Sequence, residues 1–449
     1  MRLFGTNGIR GVVGQDLTPD LAVRVARAVA TAWGPVTLAV GRDTRASGPM
    51  LRAAVVSGLL ASGANALEIG VLPTPALQYY VKERGFAGGL VVTASHNPPE
   101  WNGIKVVDQH GMEIPRETEE QVEGLVESGA FAAPAWHHVG ELTTAADAVD
   151  TYLRGVAAKV DGAVIAKRRP HVVVDPGNGA ACLTTPFLLR GLGCRITTIN
   201  AQPDGAFPGR KPEPTPENLA ALQALVPALG ADLGIAHDGD ADRAAIVDER
   251  GEFVDGDRLL ALLAGEAVRR AGGLVVTPVS SSSCVEDVVR AEGGRVEYTR
   301  VGAPLVARAI YGKGATFGGE ENGGMIFPEH LFARDGGMTA AKVVELLARQ
   351  DGPFSSLLTA IPRYYLKKSS VPCPRERRES VLARLRELAA DRKLDATDGV
   401  KVYGEGGWVL LRPSGTEAIL RIYAEGKTPE QADAMRGLGE RLVREALAT

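Results

Sequence analysis

Residues 89–98 read GLVVTASHNP. The run from Gly89 to Thr93 carries no charge and is too short for a helix, so it predicts a strand buried on both faces, as in parallel sheets. The residues after it are polar and turn-forming: Ser95, His96 and an Asn97-Pro98 pair. A serine at the carboxyl end of such a strand stands where open α/β sheets bind ligands. Read alone, SHNP is equally a turn with a capping serine. Upstream, residues 36–40 and 66–71 repeat the apolar strand pattern on either side of a helical stretch at 49–61. That alternation predicts parallel α/β layers.

The pattern restarts near residue 170 and again at Asp257. The last eighty residues differ: strands at 364–371, 401–403, 408–411 and 418–424, with helices at 375–390 and 429–447, predict an α+β unit. Boundaries near 142, 250 and 366 divide the chain into units 1–142, 143–250, 251–366 and 367–449. A chain of 449 residues, 45% hydrophobic and 23% charged, is neither disordered nor collagen-like. A net charge of -4 gives no overall basic character to attract nucleic acid or an anionic membrane. No apolar run approaches the ~20 residues of a membrane span. The opening MRLFGTNGIRG lacks a signal-peptide core. Cys182, Cys194, Cys284 and Cys373 form no CxxC pair, so they read as inert thiols of a reducing cytoplasm, and a cytoplasmic location is expected.

The sharpest chemical signal is DGDADR, residues 238–243. Its carboxylates, Asp238, Asp240 and Asp242, diverge on a helix and spread over ~13 Å on an extended strand. To meet one Mg²⁺ at ~2.1 Å the segment must curl, which Gly239 and Ala241 permit. A calcium hand is a poor fit, because Arg243 sits where that loop needs glycine and the apolar AAIV comes next. A solvated acidic turn is the plain alternative.

Four further segments carry donors. Arg412-Pro-Ser414-Gly415-Thr416-Glu417 offers a guanidinium, hydroxyls and backbone N–H groups suited to a phosphate dianion, though a polar hairpin has the same composition. Gly318-Gly-Glu320-Glu-Asn322-Gly-Gly324 suits close backbone approach and hydroxyl recognition, or else is a flexible loop. Arg10, in the Gly-rich FGTNGIRG, is a candidate phosphate contact, and Lys105, ten residues past Ser95, brings an amine near the serine loop; a surface turn and a solvated lysine are their plain readings.

In this order the segments resemble the α-D-phosphohexomutase family over essentially the whole chain. TASHNP resembles its phosphoserine loop, DGDADR its metal loop, GEENGG its sugar-recognition loop and RPSGTE its phosphate-binding loop. The resemblance implies three consecutive α/β/α domains plus a smaller C-terminal α+β domain, in a heart-shaped molecule around a central cleft. It implies that Ser95 holds the transferable phosphoryl group and that Asp238, Asp240 and Asp242 bind one Mg²⁺ together with that phosphate. Glu320 and Asn322 would meet sugar hydroxyls, and Arg412, Ser414, Gly415 and Thr416 would grip the phosphate not being transferred. Arg10, Lys105, Arg243 and His96 match positions at the reacting centre.

The implied activity is that of an isomerase moving phosphate between O6 and O1 of a hexose or hexosamine through a bisphosphate, with hexose 1,6-bisphosphate as activator. Water exclusion requires the last domain to close over the bisphosphate. FGTNGIRG is similar to the phosphoglucosamine mutase branch, so glucosamine 6-phosphate is the expected substrate, with a bifunctional phosphoglucomutase/phosphomannomutase as the alternative. Gly324 stands where many bacterial members carry histidine, as in archaeal members, which leaves the general base open. Lys105 would serve if neighbouring cations lower its pKa; His330, six residues on, reads as a surface residue. A Mg-dependent phosphatase using Ser95, and a silent sugar-phosphate binder, are the readings from other classes. The partner is a phosphorylated sugar, with no nucleic acid and no membrane; a homo-oligomer stays open.

Overall fold

The computed structural model describes residues 3–5, 7–414 and 418–448. Four sheets succeed one another along the chain. The first runs, edge to edge, Ile9–Val12, Trp101–Asp108, Gly88–Val92, Thr37–Arg42, Asn65–Val71 and Leu142–Thr144. Gly88–Val92 is buried at every position, as its unbroken apolar composition predicts. It pairs parallel with Thr37–Arg42 and antiparallel with Trp101–Asp108. The antiparallel strand sets Lys105 opposite Val91, and Ile9–Val12 on its far side sets Arg10 opposite Gly103. Register thus delivers both cations to the end of the sheet that carries Ser95. Gly103 is required there, since a Cβ would lie 2.5 Å from the Thr93 carbonyl oxygen.

The second sheet orders Ala244–Asp248, Leu233–His237, His171–Asp175 and Arg195–Thr198; the third orders Arg295–Thr299, Leu274–Pro278, Phe317–Glu320 and Gly324–Ile326. The fourth is wholly antiparallel: Tyr365–Pro372, Ile419–Gly426, Gly407–Pro413, Val400–Gly404 and Leu394–Asp395. The architecture is three consecutive α/β units and then an α+β unit. The glycine-rich run of residues 318–324, whose composition also fits a flexible loop, is an antiparallel hairpin in which Glu320 faces Gly324.

Some helices start at a side-chain cap. Thr18 accepts from the Leu21 N–H ahead of Pro19–Trp33, and Asp335 accepts from the Met338 N–H ahead of Gly336–Ala348. Pro19–Trp33 buries Ala22, Val25, Ala26 and Val29. It packs on Gly48–Ala61 so closely that a Cβ on Gly58 would stand 2.5 Å from the Val23 carbonyl oxygen. Each buried valine there contributes roughly 1.5–3 kcal/mol.

One contiguous apolar core runs through the first three units, joining Val91, Tyr152, Val174, Ile235, Leu260 and Val344. The fourth unit has its own, around Val402, Leu411, Ile422 and Val443. A small aromatic cluster of Val279, Trp408 and Leu410 with Tyr298 and Tyr403 forms the seam between it and the third unit. The four cysteines are buried and free. Burial pushes the Cys182 and Cys194 thiols up to about 12, which suits inert packing groups. Among the described residues no helix is long and apolar enough to cross a membrane.

Candidate active site

The chain leaves Gly88–Val92 and turns at once. The Thr93 hydroxyl donates to Asp43 (2.7 Å) and accepts from the Ser95 N–H (2.9 Å). Ser95 has φ of 53°, a conformation that costs a non-glycine residue about 1–2 kcal/mol. The sequence carries no G-x-S-x-G elbow, yet the serine is held in a strained turn all the same. Arg45 holds it there. This arginine is fully buried and donates to the carbonyls of Ser95 (2.8 Å), Asn97 (2.6 Å), Pro98 (2.6 Å) and Trp101 (2.8 Å), while its Nε meets Asp43 at 3.1 Å. Sequence reasoning passed over Asp43 and Arg45; the signal was the run GRDTRAS at residues 41–47, directly after a buried strand.

The second loop links Leu233–His237 to Ala244–Asp248, two fully buried antiparallel strands. It curls as three converging carboxylates require, with Ala241 left-handed at φ 55°. Gly239 is needed for approach, because a Cβ would lie 2.5 Å from the Ser95 carbonyl oxygen. One oxygen from each of Asp238, Asp240 and Asp242 lies within 4.8 Å of the others, and all three residues are buried. The Ser95 Oγ donates to Asp238 Oδ2 at 2.8 Å. Two segments 143 residues apart therefore meet at one hydroxyl.

Lys105 Nζ donates to Asp240 (2.7 Å) and Asp242 (3.0 Å), Thr74 donates to Asp240 (2.6 Å), and Arg334 donates to Asp242 (2.6 Å). Two oxygens of the trio, Asp240 Oδ1 and Asp242 Oδ1, have no hydrogen-bond partner among the described residues. Orphaned buried carboxylate oxygens in an all-oxygen cluster fit a hard divalent cation.

Burial, then Asp242 and Asp240, pushes Asp238 up to about 7. Burial would raise Asp242 too, but Arg334, Lys105 and Arg243 together hold it far below the usual carboxylate range. Burial works to lower the Lys105 pKa, and Asp240 and Asp242 more than reverse it, so it ends above its ordinary value. Its nearest partners are the two carboxylates, which favour the charged form, while Arg10 and Arg334 oppose it. His96 is pushed down to about 2, by burial first and then by Arg243 and Arg10; it is neutral, with Nδ1 3.4 Å from Ser95 Oγ.

A cavity of about 520 Å³ opens above this centre, lined by Arg10, His96, Arg243, Glu320, Asn322 and Arg334 among others. Arg10 donates to Asn97 at 2.8 Å. Arg334, which sequence reasoning missed, lies in a loop with no motif to mark it. His330 is not a surface residue: it is buried, stacked on Tyr79 at 4.4 Å, 3.2 Å from Asp335, and outside the cavity lining. Gly324 faces Glu320 across the hairpin and offers no side chain.

Arg412 and Ser414 do not line the cavity. Arg412 Nε donates to Asp398 (2.9 Å), which also accepts from the N–H of Val301, a residue at the cavity wall. Gly415 and Thr416 lie outside the described residues.

A hydroxyl beside three carboxylates, under a cavity walled by arginines and a sugar-compatible Glu/Asn pair, defines a phosphoryl-transfer enzyme acting on a small polar phosphate ester. Comparison with known proteins makes the class specific. The chain matches the phosphoglucomutase/phosphomannomutase alpha/beta/alpha domains I, II and III at residues 1–133, 150–251 and 255–365, and the C-terminal domain at 370–437. It is 45% identical to a phosphoglucomutase/phosphomannomutase of Thermococcus kodakarensis, covering 99% of each chain. It is 42% identical to a phosphoglucosamine/phosphogalactosamine mutase of Sulfurisphaera tokodaii, covering 96% of this chain and 97% of that one. A phosphoglucomutase/phosphomannomutase family protein of Burkholderia thailandensis superposes with a TM-score of 0.90 at 28% identity, over 99% of this chain and 97% of the other. The chain belongs to the phosphoglucomutase/phosphomannomutase family, the α-D-phosphohexomutases.

Proposed function

We propose that this protein is an isomerase that interconverts the 6-phosphate and 1-phosphate of a hexosamine or hexose, with glucosamine 6-phosphate preferred. The observation that carries the reading is the 2.8 Å contact of Ser95 Oγ with Asp238 inside the acidic trio. Phospho-Ser95 gives its phosphoryl group to the free sugar hydroxyl: the P–Oγ bond breaks, a P–O bond to the sugar forms, the sugar hydroxyl proton leaves to a base, and the departing Ser95 Oγ takes up a proton. The bound bisphosphate turns by about half a turn, and its other phosphate returns to Ser95. Hexose 1,6-bisphosphate is the activator that rephosphorylates Ser95 when the bound bisphosphate is lost before its second phosphate returns.

Asp238, Asp240 and Asp242, with the Ser95 phosphate, would hold one Mg²⁺. When bound, that ion neutralises charge on the transferring group. Arg10 and Arg243 steady the phosphoryl oxygens with their guanidinium donors. Neutral His96 orients on Ser95. Glu320 and Asn322 take the sugar hydroxyls; Arg412, Ser414, Gly415 and Thr416 take the other phosphate once the last unit closes. The functional units are 1–142, 143–250, 251–366 and 367–449, and a cytoplasmic location suits a sugar-phosphate substrate.

Mass spectrometry of the purified protein should find a phosphoryl increment on Ser95, and turnover should rise with catalytic hexose 1,6-bisphosphate. Stoichiometric release of free phosphate in place of the isomer would sink the mutase reading and favour a phosphatase. A bifunctional phosphoglucomutase/phosphomannomutase is the second reading, favoured by the name of the Thermococcus relative. Rates on glucosamine, glucose and mannose 6-phosphates decide between them.

A further inference from the structure

Arg334 touches both halves of the reacting centre. Its Nη2 donates to Asp242 Oδ2 at 2.6 Å and its Nη1 to Glu320 Oε2 at 3.3 Å. It is 6% exposed and lines the cavity. Its backbone is fixed on two sides. It bridges Ile326 as an isolated antiparallel pair, and the next residue, Asp335, donates its N–H to Met325 O and caps the helix Gly336–Ala348. The side chain then runs across the glycine-rich hairpin, over Gly324. A Cβ built on Gly324 would stand 2.2 Å from Arg334 Cδ and 3.0 Å from Cγ. Neither is the far end of the side chain, so the guanidinium would have to leave its place. Gly324 is in ordinary strand conformation, without positive φ. Its backbone therefore tolerates alanine, and the requirement for glycine is spatial.

We propose that Arg334 is a positioning residue that ties the sugar-recognition hairpin to the acidic trio, and that Gly324 is glycine to let it through. The inference rests on the proposed roles of Glu320 and Asp242. A guanidinium presents donors in a fixed fork and serves two carboxylates at once, which a lysine ammonium on one stem does not reproduce. By engaging Oδ2 of Asp242 together with Lys105, Arg334 sets the rotation of that carboxylate and leaves Oδ1 without a hydrogen-bond partner. By engaging Glu320 it sets the hydroxyl-recognising carboxylate in the same stroke. The arginine stays charged, so its part is orientation and charge, not proton transfer.

The test is a double-mutant cycle of Gly324→Ala and Arg334→Ala in the Ser95→Ala background, where no turnover confuses binding. Titration calorimetry reads Mg²⁺ alone and glucosamine 6-phosphate alone. Gly324→Ala is expected to shift both dissociation constants by about 10-fold, the scale of lost outer-shell orientation, and to do nothing further once Arg334 is alanine. Arg334→Lys, which keeps stem and charge and folds even if the alanine variant does not, is expected to show the same weakening for the sugar phosphate. Equal effects of Gly324→Ala with and without Arg334 would overturn the inference. So would a lysine variant at the parent values, or a variant that moves one constant and leaves the other. Failure of glucosamine, glucose and mannose 6-phosphates to bind the Ser95→Ala parent at all would instead refute the substrate reading.

Discussion

Ser95 is held at φ 53° with its hydroxyl on Asp238, and both features depend on neighbours that the serine loop does not contain. Ser95→Ala leaves that backbone in place and removes only the oxygen. Isomerisation is expected to fall by roughly three orders of magnitude or more, with Tm nearly unchanged; a coupled assay of 1-phosphate formation checks it. Asp240→Asn removes one negative charge from the trio and leaves Lys105 with Asp242 as its remaining acidic partner. The variant should require at least ~10-fold more Mg²⁺ for half-maximal rate, since losing a ligand costs no less than losing an outer-shell partner. The charge on Lys105 is set by its surroundings and not by its spacing from Ser95: Asp240 and Asp242 favour the charged form, while burial, Arg10 and Arg334 oppose it.

At the scale of the element, a strand places a residue and a loop decides what it does. The antiparallel strand Trp101–Asp108 brings Lys105 beside the sheet end, while Arg45 clamps the serine loop by donating to the carbonyls of Ser95, Asn97, Pro98 and Trp101. Arg45→Ala leaves Asp43 buried without its cation and the loop without its clamp. A loss of about 3–5 kcal/mol in denaturant unfolding is expected, with activity lost even at temperatures where the variant stays folded. Strands such as Gly88–Val92 were legible because a buried strand is an unbroken apolar run, and helices such as Pro19–Trp33 because they open at a capping residue. Arg45 was not legible as a clamp. Its partners are main-chain carbonyls, and backbone carries no sequence signature.

At the scale of the whole molecule, the fourth unit has its own core and meets the third along an aromatic seam. Lys401 sits inside that seam, its Nζ donating to Val279 O at 2.8 Å and lying 3.8 Å from the Trp408 ring centre. Burial pushes its pKa down to about 8 despite Glu425 and Asp395. The folded form thus releases its proton before the unfolded chain does. The penalty of burying the charge is complete below about pH 8, shrinks between about 8 and the ordinary lysine value, and is gone above it. The stability difference between Lys401→Met and the parent should therefore move in favour of the parent as pH rises through that window. Urea unfolding at pH 7 and pH 10 checks it, and a pH-independent difference would show that the lysine keeps its charge in the seam. By itself the sequence showed the alternating α/β pattern of the first three units, the α+β character of the last, the acidic trio and the serine loop, but not the strands Ile9–Val12 and Trp101–Asp108. What it showed arises from local periodicity, turn chemistry and close spacing. Only the tertiary structure decided that Ser95 lies on Asp238, that Arg334 joins Asp242 to Glu320, and that His330 is buried away from the cavity. Those facts are distances between segments far apart in the chain, fixed by how sheets pack, and no local pattern of residues encodes them.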